Sequence, residues 1–194
     1  MNRLLIAASI VLALTTGPSA AQPQQPYAGL EARPIKALSE QQIADLRAGR
    51  GIGLALPAEL NGYPGPAHVL ELADRLGLSD QQRAKAQALF DAMKAEAVPI
   101  GEKLIAQEAE LDRQFADKTM TPARLEASTD AIGSTNAALR RAHLKYHLST
   151  LELLTPAQVE RYAELRGYSA PKDLIKEAPM QAPMQHRHGA HPPQ

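Results

Sequence analysis

Leu125, Ile132, Leu139, Tyr146 and Leu153 recur at every seventh position without a break. A strict seven-residue apolar repeat makes a narrow seam, and it obliges a long helix to wind left-handedly against a partner helix. The partner lies just upstream. From Ser79 to about Asp117 the apolar positions Phe90, Met93, Ala97, Ile100, Leu104, Leu111 and Phe115 step by threes, fours or their sum. Pro99 falls inside this pattern and deletes one backbone hydrogen bond. The seam continues in phase on both sides, which predicts a kink rather than an end. Between the two stretches, Thr121 can cap a new helix and Pro122 suits its first position. A connection this short makes the long helices antiparallel neighbours.

The remaining segments read as short flanking helices. Ser39 to Arg47 is one, a single turn at Pro57–Leu60 another, and Pro66 to Leu76, stopped by Gly77, a third. Gly49 to Pro66 is otherwise dense in glycine and proline and reads as loop. Its Gly49-Arg50-Gly51-Ile52-Gly53 run lacks the Gly-Lys-Ser/Thr ending of a phosphate loop, and no strand precedes it. No segment alternates with period two, so the expected fold is all-α: a kinked antiparallel helical hairpin with short flanking helices. The chain is 44% hydrophobic but only 4% aromatic. Its alanine-rich helices make a thin core, and a thin hairpin exposes two apolar faces, so a homodimer is expected.

Residues 1–21 read as an address. Arg3 precedes an apolar run from Leu4 to Leu14, Gly17-Pro18 breaks it, and Ser19-Ala20-Ala21 offers small residues for cleavage. The run is too short for a bilayer, which needs about 20 residues. A cleaved signal peptide implies export to the periplasm with no membrane span left behind. The expected organisation is signal peptide 1–21, a Gly/Pro-rich region 22–65 with a short helix, a hairpin domain 66–168, and a His-, Met- and Pro-rich disordered tail 169–194. Lys plus Arg and Asp plus Glu each number 21, a balance that argues against a nucleic-acid partner. The absence of cysteine removes disulfides, cysteine zinc sites and a thiol nucleophile.

Three segments share one pattern: Leu38-Ser39-Glu40-Gln41-Gln42, Leu78-Ser79-Asp80-Gln81-Gln82 and Leu154-Thr155-Pro156-Ala157-Gln158. Each is a capping box. The hydroxyl accepts from the amide three residues on, and the glutamine reaches back to the N-cap amide. The preceding leucine can pack on the fourth helical residue, Ile43 or Val159, whereas Arg83 makes the middle copy weaker. Two copies flanking a long helical pair, with Leu78, Ser79 and Gln82 before it and Leu154, Thr155 and Gln158 after it, resemble the Leu-Thr-x-x-Gln motif of the Spy/CpxP family of periplasmic proteins. The resemblance covers roughly Pro66 to Gly167. This sequence departs in having Ser79 for threonine, a third copy at Leu38, and the Gly/Pro-rich region. The resemblance implies an all-helical, cradle-shaped antiparallel dimer. Its members include ATP-independent chaperones, inhibitors of envelope-stress sensor kinases and periplasmic heavy-metal sensors.

Chemistry-bearing residues are few. His143 and His147 stand four apart, which puts both imidazoles on one helix face. Folding the hairpin about Lys118–Thr121 sets Met93 and Glu96 opposite them. Two histidines with a carboxylate suit Zn, Ni or Co, and a thioether tilts the set toward Cu. The tail offers a looser group of Met180, Met184, His186, His188 and His191. His68 has no clustered partner in the sequence. Arg140, Arg141 and Lys145 form a basic patch, and Leu144, Leu148 and Leu151 form a row off the main seam. No nucleophile elbow or metalloprotease helix motif is present, so no enzyme is expected. The leading expectation is an envelope-stress protein that needs no cofactor and binds unfolded clients or a sensor partner. The alternative is a metal-binding or metal-sensing protein using His143 and His147.

Overall fold

The computed structural model describes residues 27–168. The signal segment 1–21 and the tail histidines 186, 188 and 191 therefore lie outside the described residues. The chain divides into two compact units, Met1–Ala32 and Arg33–Gln194. Of the first, a 3-10 turn at Leu30–Ala32 is seen. Among its described residues the second holds six α-helices: α1 (Glu40–Arg47), α2 (Leu56–Glu59), α3 (Pro66–Glu71), α4 (Asp80–Ala116), α5 (Pro122–Leu153) and α6 (Pro156–Leu165). No strand occurs among the described residues. None of their helices is long and apolar enough to cross a membrane.

The fold rests on α4 and α5, which pack along each other. At 37 residues, α4 runs about 55 Å at 1.5 Å per residue. Its helical backbone passes through Pro99 without a break. Gln82 touches Leu153, and Glu96 touches Lys145 and Tyr146, so the two helices run in opposite senses. Thr121 caps α5 by accepting from the Arg124 amide at 3.3 Å. The flanking helix begun at Pro66 is shorter than the sequence suggests. It ends at Glu71, and Leu72 to Gly77 form successive turns that close at Gly77, φ +63°.

All three capping boxes form, at Ser39, Ser79 and Thr155. The second and third copies also meet. Gln82 Nε2 donates to Gln158 Oε1 at 2.8 Å, and Gln158 Nε2 donates to Gln82 Oε1 at 3.1 Å. Gln82 also donates to the Leu153 carbonyl at 3.0 Å, and Gln158 to the Leu76 carbonyl at 3.4 Å. Each glutamine therefore caps its own helix and clasps the start of the other. Leu78 and Leu154 are buried beside them, with Val69, Ala73, Leu76, Ala86 and Tyr162.

A second core lies further along α4. Ile35, Leu38 and Leu46 pack there on Ala97, Leu104, Ile105 and Leu139. Gly101 permits this approach. A Cβ at that position would stand 2.7 Å from the Leu46 carbonyl oxygen, closer than any real contact. The buried face of α5 is Thr135, Leu139, Ala142, His143, His147 and Thr150. This departs from the heptad row: Leu125 is exposed and Tyr146 and Leu153 are half-buried. A helix covered by several short helices presents a broad stripe near its natural 3.6 period rather than a narrow two-helix seam.

Candidate functional site

The Gly/Pro-rich segment between α1 and α3 folds back over the histidine face of α5. It forms one wall of a half-open cavity of about 510 Å³, lined by Gly49–Gly53, Leu56 and Glu59 on one side and Phe90, Met93, His143 and His147 on the other. Glycines let the backbone come close. A Cβ on Gly51 would lie 3.4 Å from His143 Nδ1, and one on Gly65 would lie 2.8 Å from His147 Cε1. Ile52 takes φ +37° between Gly51 and Gly53. A β-branched residue held at positive φ stores about 1–3 kcal/mol, the kind of strain that surrounding structure must over-determine.

Both histidines are buried, His143 at 3% exposure and His147 at 7%. Their surroundings differ. His147 Nδ1 lies 2.7 Å from the Tyr63 carbonyl, so that nitrogen carries the proton and donates. In the neutral ring, Nε2 is then the nitrogen that bears the lone pair. His143 Nε2 is fully buried with no hydrogen-bond partner. Burial, and then the neighbouring His147, hold the His143 pKa below the usual imidazole value. Its neutral form is therefore favoured.

Met93 lines this cavity as the helical spacing suggests. Glu96 does not. It accepts from Tyr146 at 3.2 Å and pairs with Lys145. The carboxylate beside the histidines is Glu59, whose Oε2 is 3.8 Å from His147 Nδ1 and accepts from the Gly65 amide at 3.3 Å. The expected carboxylate is replaced because the Gly/Pro-rich segment, rather than α4, covers the His147 edge. His68 also reaches the cavity lining, with Nδ1 2.9 Å from Glu71. Its place on the same lining as His143 is invisible in sequence because the two residues are 75 positions apart.

Glu59 is the hub of the base. Only 6% exposed, it receives the Tyr162 hydroxyl, the Tyr168 hydroxyl at 3.1 Å and the Arg166 guanidinium at 3.5 Å. Burial, reinforced by the Glu59 hydrogen bond, pushes the Tyr162 phenol well above its usual pKa, so it stays a donor. The sequence signal was faint: one acid between Leu56 and Leu60 in a turn whose neighbours are apolar.

Among the described residues, no three His, Asp or Glu side chains come together in a metal-binding arrangement. A shallower groove of about 650 Å³, along Gln81, Lys85, Leu89, Ser149 and Glu152, is open, and none of its polar groups is left buried without a partner. Of the basic patch, Lys145 is engaged with Glu96, and Arg140 and Arg141 face solvent. Leu148 is exposed, while Leu144 and Leu151 are half-buried. No family model, curated protein or solved structure matches this chain.

Proposed function

We propose that this is a periplasmic envelope-stress protein resembling Spy/CpxP, which binds unfolded clients or a sensor partner without ATP. The observation that carries the reading is the clasp between Gln82 and Gln158. It gives both Leu-Ser/Thr-x-x-Gln copies one shared purpose at the base of a helical hairpin, the feature on which the family resemblance rests. The binding surface follows from what the fold leaves uncovered. Ile52, Leu56, Leu60 and Tyr63 are all exposed on the single segment between α1 and α3, and Leu148 is exposed on α5. Exposed apolar groups gathered on one segment mark an interaction surface rather than scattered surface residues. Phe115 and Leu125, exposed at the far end of the long helices, fit a contact between two copies of a homodimer.

The test is suppression of aggregation of a chemically denatured client, with a chelator present and no nucleotide. The wild-type protein is expected to suppress aggregation. Leu56→Ser combined with Leu60→Ser is expected to lose most of that effect while keeping the helical circular dichroism signal. No suppression by the wild type would overturn the client reading.

A second reading is favoured by one specific observation, the buried and unpartnered Nε2 of His143 beside an oriented His147. In that reading the protein binds or senses a heavy metal in the cavity. The cavity side chains that would serve are His143, His147 and Met93, with His186, His188 and His191 as a looser secondary group.

A further inference from the structure

We propose that the cavity under the Gly/Pro-rich segment is a site for monovalent copper, Cu(I), held by His143, His147 and the thioether of Met93. This rests on the metal-binding reading and adds the identity of the ion. The donor set carries the argument. Zinc, nickel and cobalt sites draw on three or more nitrogen and oxygen donors. No such trio of His, Asp or Glu exists among the described residues. Both carboxylates at the cavity are engaged elsewhere, Glu59 by Tyr162, Tyr168 and the Gly65 amide, and Glu71 by His68. His68, which also lines the cavity, is held by Glu71 through its Nδ1, so the donors not already paired with a carboxylate are two imidazoles and a thioether. Cu(I) is a soft, filled-shell ion that is satisfied by two or three such donors, and thioethers select it over the divalent ions.

The surroundings agree. His147 gives its Nδ1 proton to the Tyr63 carbonyl, the arrangement by which a ligating histidine is oriented by a second group. His143 Nε2 is buried without a partner, a cost that a bound ion would remove. Phe90, Ile52 and Leu56 make the walls apolar. The cations at the cavity, Arg50 and Lys94, are occupied: Arg50 pairs with Asp45 at 2.6 Å, and Lys94 lies over the Phe90 ring.

The experiment uses the full chain with Met180, Met184, His186, His188 and His191 replaced by alanine, so that only the cavity can bind. Cu(I) is titrated without oxygen against a coloured Cu(I) chelator, with Zn(II), Ni(II) and Co(II) titrated in parallel, and copper X-ray absorption is recorded. One Cu(I) per chain is expected, with sulfur in its first shell. Met93→Leu conserves volume, so the metal-free fold should be kept and is checked by circular dichroism. That variant should weaken Cu(I) by at least about tenfold and abolish the sulfur signal. His143→Gln and His147→Gln should each weaken it further. Cu(I) binding indifferent to Met93→Leu would overturn the proposal. Tighter binding of Zn(II), Ni(II) or Co(II) that depends on His143 and His147 would overturn it while leaving the metal-binding reading intact. No binding of any of the four ions would end both.

Discussion

The two ends of the α4–α5 pair are built on opposite principles. At the base, short helices and the Gly/Pro-rich segment cover the long pair, and buried residues extend from Leu78 to Ile105 and from Thr135 to Tyr162. At the tip, no residue between Arg113 and Ala127 is buried, and Phe115 and Leu125 stand 55% and 41% exposed. The tip is held by local devices alone: the Thr121 cap, the Arg113 pairs with Glu110 and Asp117, and the Arg124 bond to the Thr119 carbonyl. Exposed pairs of that kind are screened by solvent and contribute little. Helix periodicity therefore sets the length of the arm, whereas stability resides where other segments dock on it.

The largest effect should come from striking the base. Glu59→Ala leaves Tyr162, Tyr168, Arg166 and the Gly65 amide without their common acceptor. A loss of about 3–5 kcal/mol is expected in urea or thermal unfolding, since the Tyr162 hydroxyl and the Gly65 amide stay buried without an acceptor, whereas Arg166 and Tyr168 keep their bond to each other. The matching strike at the tip, Phe115→Ser with Leu125→Ser, should change unfolding of the single chain by no more than about 0.5 kcal/mol. Equal effects at the two ends would break the comparison. A fall in sedimentation coefficient for the tip variant alone would sharpen it by assigning the tip to the contact between copies.

Gly101→Ala comes next. In an isolated helix alanine would be preferred by about 1 kcal/mol. Here the added methyl meets the Leu46 backbone, which cannot swing aside as a side chain could. A net destabilisation of about 1–3 kcal/mol is expected, reported by early loss of α1 protection in hydrogen exchange. A neutral outcome would mean that α1 docks loosely and that the base is smaller than it looks.

What was legible in the sequence follows the same division. The ends of α4 and α5, the Thr121 cap and all three capping boxes were readable because each depends on residues within four positions of one another. Met93, His143 and His147 were readable as a group because the helix period and the short turn fix their register. Glu59, His68, Gly101 and the glutamine clasp were not. Each depends on which distant segment arrives beside it, and neither a heptad row nor a glycine count encodes that. The Gly/Pro-rich segment shows why. As a sequence it is a string of turn signals, yet those glycines are what let its backbone lie against the two imidazoles. The heptad row misled for the related reason that covering segments, rather than one partner helix, decide which face of α5 is buried.

The glutamine clasp should show a moderate effect. Gln82→Ala and Gln158→Ala each remove a helix cap as well as the mutual pair, so each should cost about 1–2 kcal/mol. A double-mutant cycle separates the shared part, and a coupling of about 0.5–1.5 kcal/mol is expected. A coupling near zero would reduce the two motif copies to independent caps and remove the structural link between them.

The smallest effect lies midway along the arm, at Glu96. Its hydrogen bond to Lys145, aided by that from Tyr146, holds the Glu96 carboxyl below its usual pKa, against a desolvation effect that raises it. A carboxylate whose folded pKa is lowered binds its proton more readily in the unfolded chain. Its stabilisation is therefore complete above the ordinary glutamate value and fades as pH falls through the lowered folded value. The side chain is 35% exposed, so solvent screening keeps the contribution small. Glu96→Gln should flatten the acid limb of the stability-versus-pH curve slightly and leave the neutral region nearly unchanged. The difference should shrink further in 1 M salt, where the Debye length is about 3 Å. A large drop at neutral pH would instead place Glu96 in the base network, extending the buried region beyond the cavity toward the middle of the arm.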